Sequence, residues 1–261
     1  MGGFHTRPVR EHAKSRCAMK VWCVSRRHDP GSPADESLAF KTNYLSAVVA
    51  DPKLMHDISD VNQMQETGRW LSTNLGIETV APSMVKKHLG VKTRPFSTDE
   101  WGWVVREGAK ILNENHWFPA ATIIIGWPDE TPDETQYTID MMSDFRKTDF
   151  RGLVAPLLYQ DFSEKNSMHF GNLNEAQFTL FWRCWENNLR VINDIIPIIL
   201  RNKTYGPFMK VFMYGIIKAG TWAIMRYLRG LCKDLFNGRL PEDIVEKYSR
   251  SRSVSAPNYT R

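Results

Sequence analysis

The sequence predicts an α/β fold built on a parallel sheet. Three observations point there. From about Thr42 onward, short apolar runs alternate with amphipathic stretches. One run, Ala120-Ala121-Thr122-Ile123-Ile124-Ile125, is apolar along nearly its whole length, as expected of a central strand covered on both faces. Helix-start signals follow the runs, at Asp51-Pro52 and at Thr131-Pro132-Asp133-Glu134.

Taken in order, Tyr44-Leu45-Ser46-Ala47-Val48-Val49 suits a first strand. Asp51 then caps a helix carrying Leu54, Met55, Ile58 and Val61, with Pro52 at the first helical position, where its missing N–H costs nothing. Arg69 to Ile77 reads as a second strand and Pro82 to Leu89 as a short helix. Ser97-Thr98-Asp99-Glu100 is a capping box ahead of a longer helix, Trp101 to Asn115. The strand Ala120–Ile125 stops at Gly126-Trp127-Pro128, and Thr131, Pro132 and Glu134 together open a helix over Pro132 to Lys147. Gly152 to Tyr159 is the next apolar run. A long helix, Asn174 to Arg201, places Phe178, Phe181, Trp185, Leu189, Ile192, Ile196 and Ile199 at helical spacing, with Pro197 expected to kink it or end it early. Strands joined by helices in this order imply right-handed crossovers and a parallel sheet or barrel.

The chain has 261 residues, 42% of them hydrophobic, which is ample for a core and excludes disorder over most of its length. Its ends differ in kind. Residues 1–37 form a basic arm broken by His28-Asp29-Pro30-Gly31-Ser32-Pro33, and residues 247–261 form a Ser- and Arg-rich tail expected to be disordered. Between them lie a folded part, residues 38–201, and a basic helical region, residues 202–246. A net charge of +5 is too weak to imply nucleic acid as a partner. Cys17, Cys23, Cys184 and Cys232 are too few and too scattered for a disulfide framework, which points to a reducing compartment. With no uncharged apolar stretch of about 18 residues and no secretory signal pattern, the expected location is cytoplasmic, with room for contact at a membrane surface.

In such an architecture ligands bind at the carboxyl ends of strands, so Gly76-Ile77-Glu78-Thr79, Gly126 to Thr131 and Leu158-Tyr159-Gln160-Asp161 are the places to look. A glycine there lets a ligand approach the backbone, and a neighbouring carboxylate accepts hydrogen bonds from an amine or a ribose hydroxyl. The plainer reading makes Gly76 and Gly126 turn residues and Glu78 a solvated carboxylate. His-Glu-x-x-His, Gly-x-Ser-x-Gly and Walker motifs are all absent, and His88, His116 and His169 stand apart, which disfavours a conventional barrel hydrolase.

The segment Trp70 to Thr79, followed by Pro82-Ser83-Met84-Val85-Lys86-Lys87, resembles the fourth strand and following helix of radical S-adenosylmethionine (SAM) enzymes, and Thr122 to Thr131 resembles their fifth-strand region. The resemblance is nearest to archaeal radical SAM proteins of the cobalamin-binding group, which includes enzymes that modify tetraether lipids. It spans about Thr42 to Arg201 and implies the second half of a partial (βα)6 TIM-like barrel. It further implies SAM and a 4Fe-4S cluster as cofactors, with cobalamin in full-length relatives. Radical chemistry at unactivated C–H bonds is implied too, with a lipid as the substrate class. By this resemblance Gly76 and Glu78 lie near SAM, Gly126 ends the fifth strand, and Tyr159 or Gln160 faces the pocket. The sequence departs from the pattern at Val80-Ala81, where the family often has Gly-Ser, and at Asp129, where Gly is usual. It also lacks the Cys-x3-Cys-x-x-Cys motif whose three thiolates hold the cluster, so no metal ligand and no catalytic residue is assigned. The chain is therefore expected to act with a complementary N-terminal polypeptide, or else to be an inactive remnant or a membrane-surface binding module.

The last segment supports the membrane alternative. After Gly206-Pro207, helical spacing puts Phe212, Met213, Ile216, Ile217, Ala223, Ile224, Tyr227, Leu231 and Leu235 on one face. Lys218, Arg226, Arg229 and Lys233 fall on the other. Residues 208–235 thus read as a helix lying on an anionic membrane, or as one docked on the fold with its lysines reaching out to water.

Overall fold

A computed structural model describes residues 40–43, 45–161, 167–201 and 206–250. The basic arm and residues 251–261 lie outside the described residues. The fold is α/β. Its strands follow one another through the sheet in chain order, β1 (Phe40–Asn43), β2 (Leu71–Glu78), β3 (Trp117–Ile125) and β4 (Leu153–Leu158). Two compact units meet within β3, the first ending at Thr122 and the second starting at Ile123.

In the first unit β1 runs parallel to β2, Phe40 opposite Thr73 and Asn43 opposite Leu75. Of the segment read as a first strand, residues 45–49 are instead helical, because α1 (Leu45–Ala50) buries Leu45, Ser46, Ala47, Val48 and Val49, and Tyr44 lies outside the described residues. A short apolar run without alternation fits a buried helix as well as a strand, and here packing against α5 (Trp101–Glu114) decides. Gly108 on α5 makes room for that contact, since a Cβ there would stand 2.7 Å from Leu45 Cδ2. The predicted helix at Asp51-Pro52 forms as α2 (Pro52–Val61), and Asp51 accepts from the Leu54 N–H at 3.3 Å. A single turn, α3 (Met64–Thr67), leads into β2, and α4 (Pro82–His88) follows it. At Ser97 only half of the expected capping box is made. Glu100 Oε2 accepts from both the N–H and the hydroxyl of Ser97, but the helix begins at Trp101 with no side-chain cap.

The second unit begins with the last three residues of β3. Along β3 buried and partly exposed residues alternate strictly, so the run expected to be covered on both faces is fully covered on one. Helix α6 (Pro132–Lys147) starts as its sequence predicts, with the Thr131 and Glu134 side chains each bonding the other's backbone. In β4 only Val154 is buried. Helix α7 (Glu175–Arg201) is central, packing against α6, β4, α8 (Pro207–Leu235) and α9 (Pro241–Arg250). It opens with a reciprocal pair, Gln177 N–H to Asn174 Oδ1 at 2.9 Å and Asn174 N–H to Gln177 Oε1 at 3.1 Å. The helix continues through Pro197 to Arg201 rather than ending at the proline. Asn188 of α7 pairs with β4 as a neighbouring strand would, its Oδ1 accepting from Val154 N–H and its Nδ2 donating to Val154 O, both at 2.7 Å. Lys247 to Arg250, assigned from sequence to the tail, form the end of α9.

Candidate functional site

In the first unit the polar group at the end of β2 is built on Gly76. Thr73, Leu75 and Ile77 point into the core, leaving Gly76 and Glu78 on the less buried face. Glu78 has φ +63°, a left-handed conformation unusual for a residue with a Cβ, and one that turns the chain sharply as the strand ends. Its Oε1 accepts from Lys92 Nζ at 2.8 Å, and Thr122 Oγ1 lies 3.4 Å from its Oε2. A Cβ at Gly76 would stand 2.5 Å from Glu78 Oε1 and 2.7 Å from Lys92 Nζ, so the glycine is what lets the ion pair fold over the strand. Beyond it Val80 and Ala81 are buried, Thr79 Oγ1 accepts from the Ala81 N–H at 3.2 Å, and Thr79 O accepts from Trp101 Nε1 at 2.9 Å. The Val80-Ala81 turn is therefore part of the core.

In the second unit Gly126 and Tyr159 both neighbour Met168, and Gln160 follows Tyr159 at the surface. Gly126 has φ +81°, and the Met168 side chain fills the space a Cβ would need. Tyr159 donates its N–H to Ile125 O at 2.9 Å, accepts from the Met168 N–H at 2.8 Å, and sets its ring 5.4 Å from that of Trp127. Gln160 is exposed, and its side chain donates to Met168 O at 3.4 Å.

Sequence reasoning passed over Glu130 in this loop. Burial pushes its carboxyl up to about 7, opposed by hydrogen bonding from the Gly126 and Trp127 backbone and assisted by the nearby Glu134 charge. Its Oε2 is buried with no hydrogen-bond partner. The one available signal was position, a carboxylate just past a strand end. Nothing in the sequence pointed to Met168.

A 4Fe-4S cluster needs three thiolates. Cys17 and Cys23 lie outside the described residues. Burial raises the Cys184 thiol far above its ordinary range and lifts Cys232 to about 11, so both stay protonated. No three His, Cys, Asp or Glu side chains converge among the described residues. The described residues do not fit the cluster.

The exposed surface of α8 is the most unusual chemical feature among the described residues. The sequence suggested an apolar face opposite a cationic one; the structure divides the helix differently. Met213, Ile217, Ile224, Leu228 and Cys232 lie along the side turned inward, with Leu228 and Cys232 fully buried. At about 100° per residue Phe208, Val211 and Phe212 share the outward side with Trp222, Arg226, Arg229 and Lys233. Phe208 is 82% exposed, Val211 73% and Trp222 64%, and Ile216 and Tyr227 are exposed beside them. Apolar and basic residues are thus segregated along the axis of one outward face, apolar first and basic after. Arg226 sits over the Trp222 ring at 5.4 Å, and Arg229 pairs with Glu242 at 2.8 Å. No helix among the described residues is long and apolar enough to cross a membrane.

No protein-family model and no curated protein sequence matches this chain.

Proposed function

We propose that the protein binds the surface of anionic membranes through α8. The observation that supports this is the outward face of that helix, where large apolar side chains stand in water and lead directly into a cluster of cations. Isolated exposed apolar residues are ordinary on protein surfaces, but Phe208, Val211, Phe212 and Ile216 occupy successive turns of one helix. Inserted below the headgroups they would each contribute about 1.5–3 kcal/mol at most, while Arg226, Arg229 and Lys233 would meet anionic lipid. Charge complementarity favours a membrane over a second copy of this basic chain. The test is co-flotation with vesicles. The protein is expected to float with phosphatidylcholine–phosphatidylglycerol vesicles and to stay behind with phosphatidylcholine alone. Replacing both Phe208 and Phe212 by Glu is expected to reduce binding about 100-fold or more. Absence of the unaltered protein from the anionic vesicle fraction would end this reading.

A second reading, that the end of β2 takes SAM as part of a partial barrel, is favoured by two observations. The strands follow chain order without reversal, as barrel strands do, and Gly76 and Glu78 stand at a strand's carboxyl end. In this reading Glu78 accepts the ligand's ammonium in place of Lys92. Removing Lys92 should then free the carboxylate, so Lys92→Met is expected to tighten SAM binding and Glu78→Gln to weaken it, each by about tenfold. Calorimetric titration checks this, and equal affinities for all three proteins would refute it. Radical chemistry at a C–H bond, on a lipid in particular, we propose only for a complex in which another polypeptide supplies the cluster thiolates.

A further inference from the structure

The outward face of α8 is interrupted at Gly230, where a hollow of about 460 Å³ opens between Trp222, Met225, Arg226, Arg229 and Lys233. We propose that this hollow seats the phosphate of a phospholipid headgroup. The inference rests on the membrane reading for the source of the phosphate, and it adds a specific contact where that reading needs only general attraction.

Three cations border a space left open by a missing side chain, and their present commitments leave them able to bind. Arg226 Cζ lies 5.4 Å from the centre of the Trp222 ring, and a guanidinium held over a ring by cation–π attraction keeps N–H donors available to an oxyanion. Arg229 is steadied by Glu242 on α9, which holds one edge of the fork and leaves further donors. Lys233 is exposed and makes no ion pair with another described residue. Asp234 lies at the border of the adjoining hollow, so the anion is expected to sit toward Arg229 and Lys233. Trp222 is 64% exposed at the rim, and indole favours the depth of lipid headgroups. A glycine in mid-helix weakens the helix relative to alanine. A Cβ at Gly230 would touch nothing, so packing within the protein does not require the glycine.

Gly230→Leu is accordingly a clean test, filling the hollow while strengthening the helix. Dibutyryl phosphatidate, a water-soluble lipid with an exposed phosphate, is titrated into the unaltered protein and into Gly230→Leu. The unaltered protein is expected to bind it, and Gly230→Leu at least about tenfold more weakly. Inorganic phosphate is expected to bind more weakly than the lipid. Unchanged affinity in Gly230→Leu, or inorganic phosphate binding as tightly as phosphatidate, would overturn the proposal. Flotation failing while the short-chain lipid still binds at Gly230 would count against the membrane reading and leave the phosphate site standing.

Discussion

At Glu130 burial and local hydrogen bonding pull the carboxyl in opposite directions, and burial prevails, moving it from 4.5 to about 7. An acid whose pKa is higher in the folded state than in the unfolded one holds its proton longer when folded. Stability tied to it is therefore complete below pH 4.5 and is lost as pH rises through about 7, at no more than about 1.4 kcal/mol per pH unit. Glu130→Gln, which cannot ionise, is expected to match the unaltered protein near pH 4 and to be more stable near pH 8. Urea unfolding at the two pH values checks this, and a pH-independent difference would refute it. The same residue shows where the sequence stops being informative. Asp51 and Thr131 could be assigned their capping roles because a cap depends on its nearest neighbours alone. The shift at Glu130 depends on what the fold places around it. Gly76 and Gly126 could be singled out by their position at strand ends, whereas Lys92 and Met168, whose side chains lie over them, come from elsewhere in the chain.

Among whole elements, the long helices were the most legible and the shortest apolar run the least. Leu45–Ala50 carries too few residues to display a period, and its contact with α5 settled a choice that sequence could not. Helix α8 has its expected start and length but not its expected sidedness. Hydrophobicity alone cannot rank apolar residues competing for one interface, and docking against α7 selected Met213, Ile217 and Leu228 while leaving Phe208 and Phe212 outside. The pairing of α7 with β4 carries a prediction of its own. Asn188→Leu keeps the volume about right but leaves the Val154 N–H and C=O without partners in a buried setting, each at a cost of about 1–3 kcal/mol. The variant is expected to unfold at lower denaturant and to scatter more light on standing. Asn188→Gln, which keeps an amide on a longer arm, is expected to recover part of the loss. Unchanged stability in Asn188→Leu would refute the role.

Across the whole molecule, the sequence conveyed the α/β class and most of the strand–helix alternation, since both follow from the spacing of apolar residues. It could not convey that β3 is shared by two compact units, because that division depends on contacts between residues far apart in the chain. The clamp of Asn188 on Val154 also has a directional consequence. The hydrogen-bonding capacity that β4 would offer a further strand is already taken at that point by a side chain, while β1 stands at the other edge of the sheet among the described residues. Among the described residues, a polypeptide that adds a strand to this sheet would therefore join alongside Phe40–Asn43 rather than at Val154.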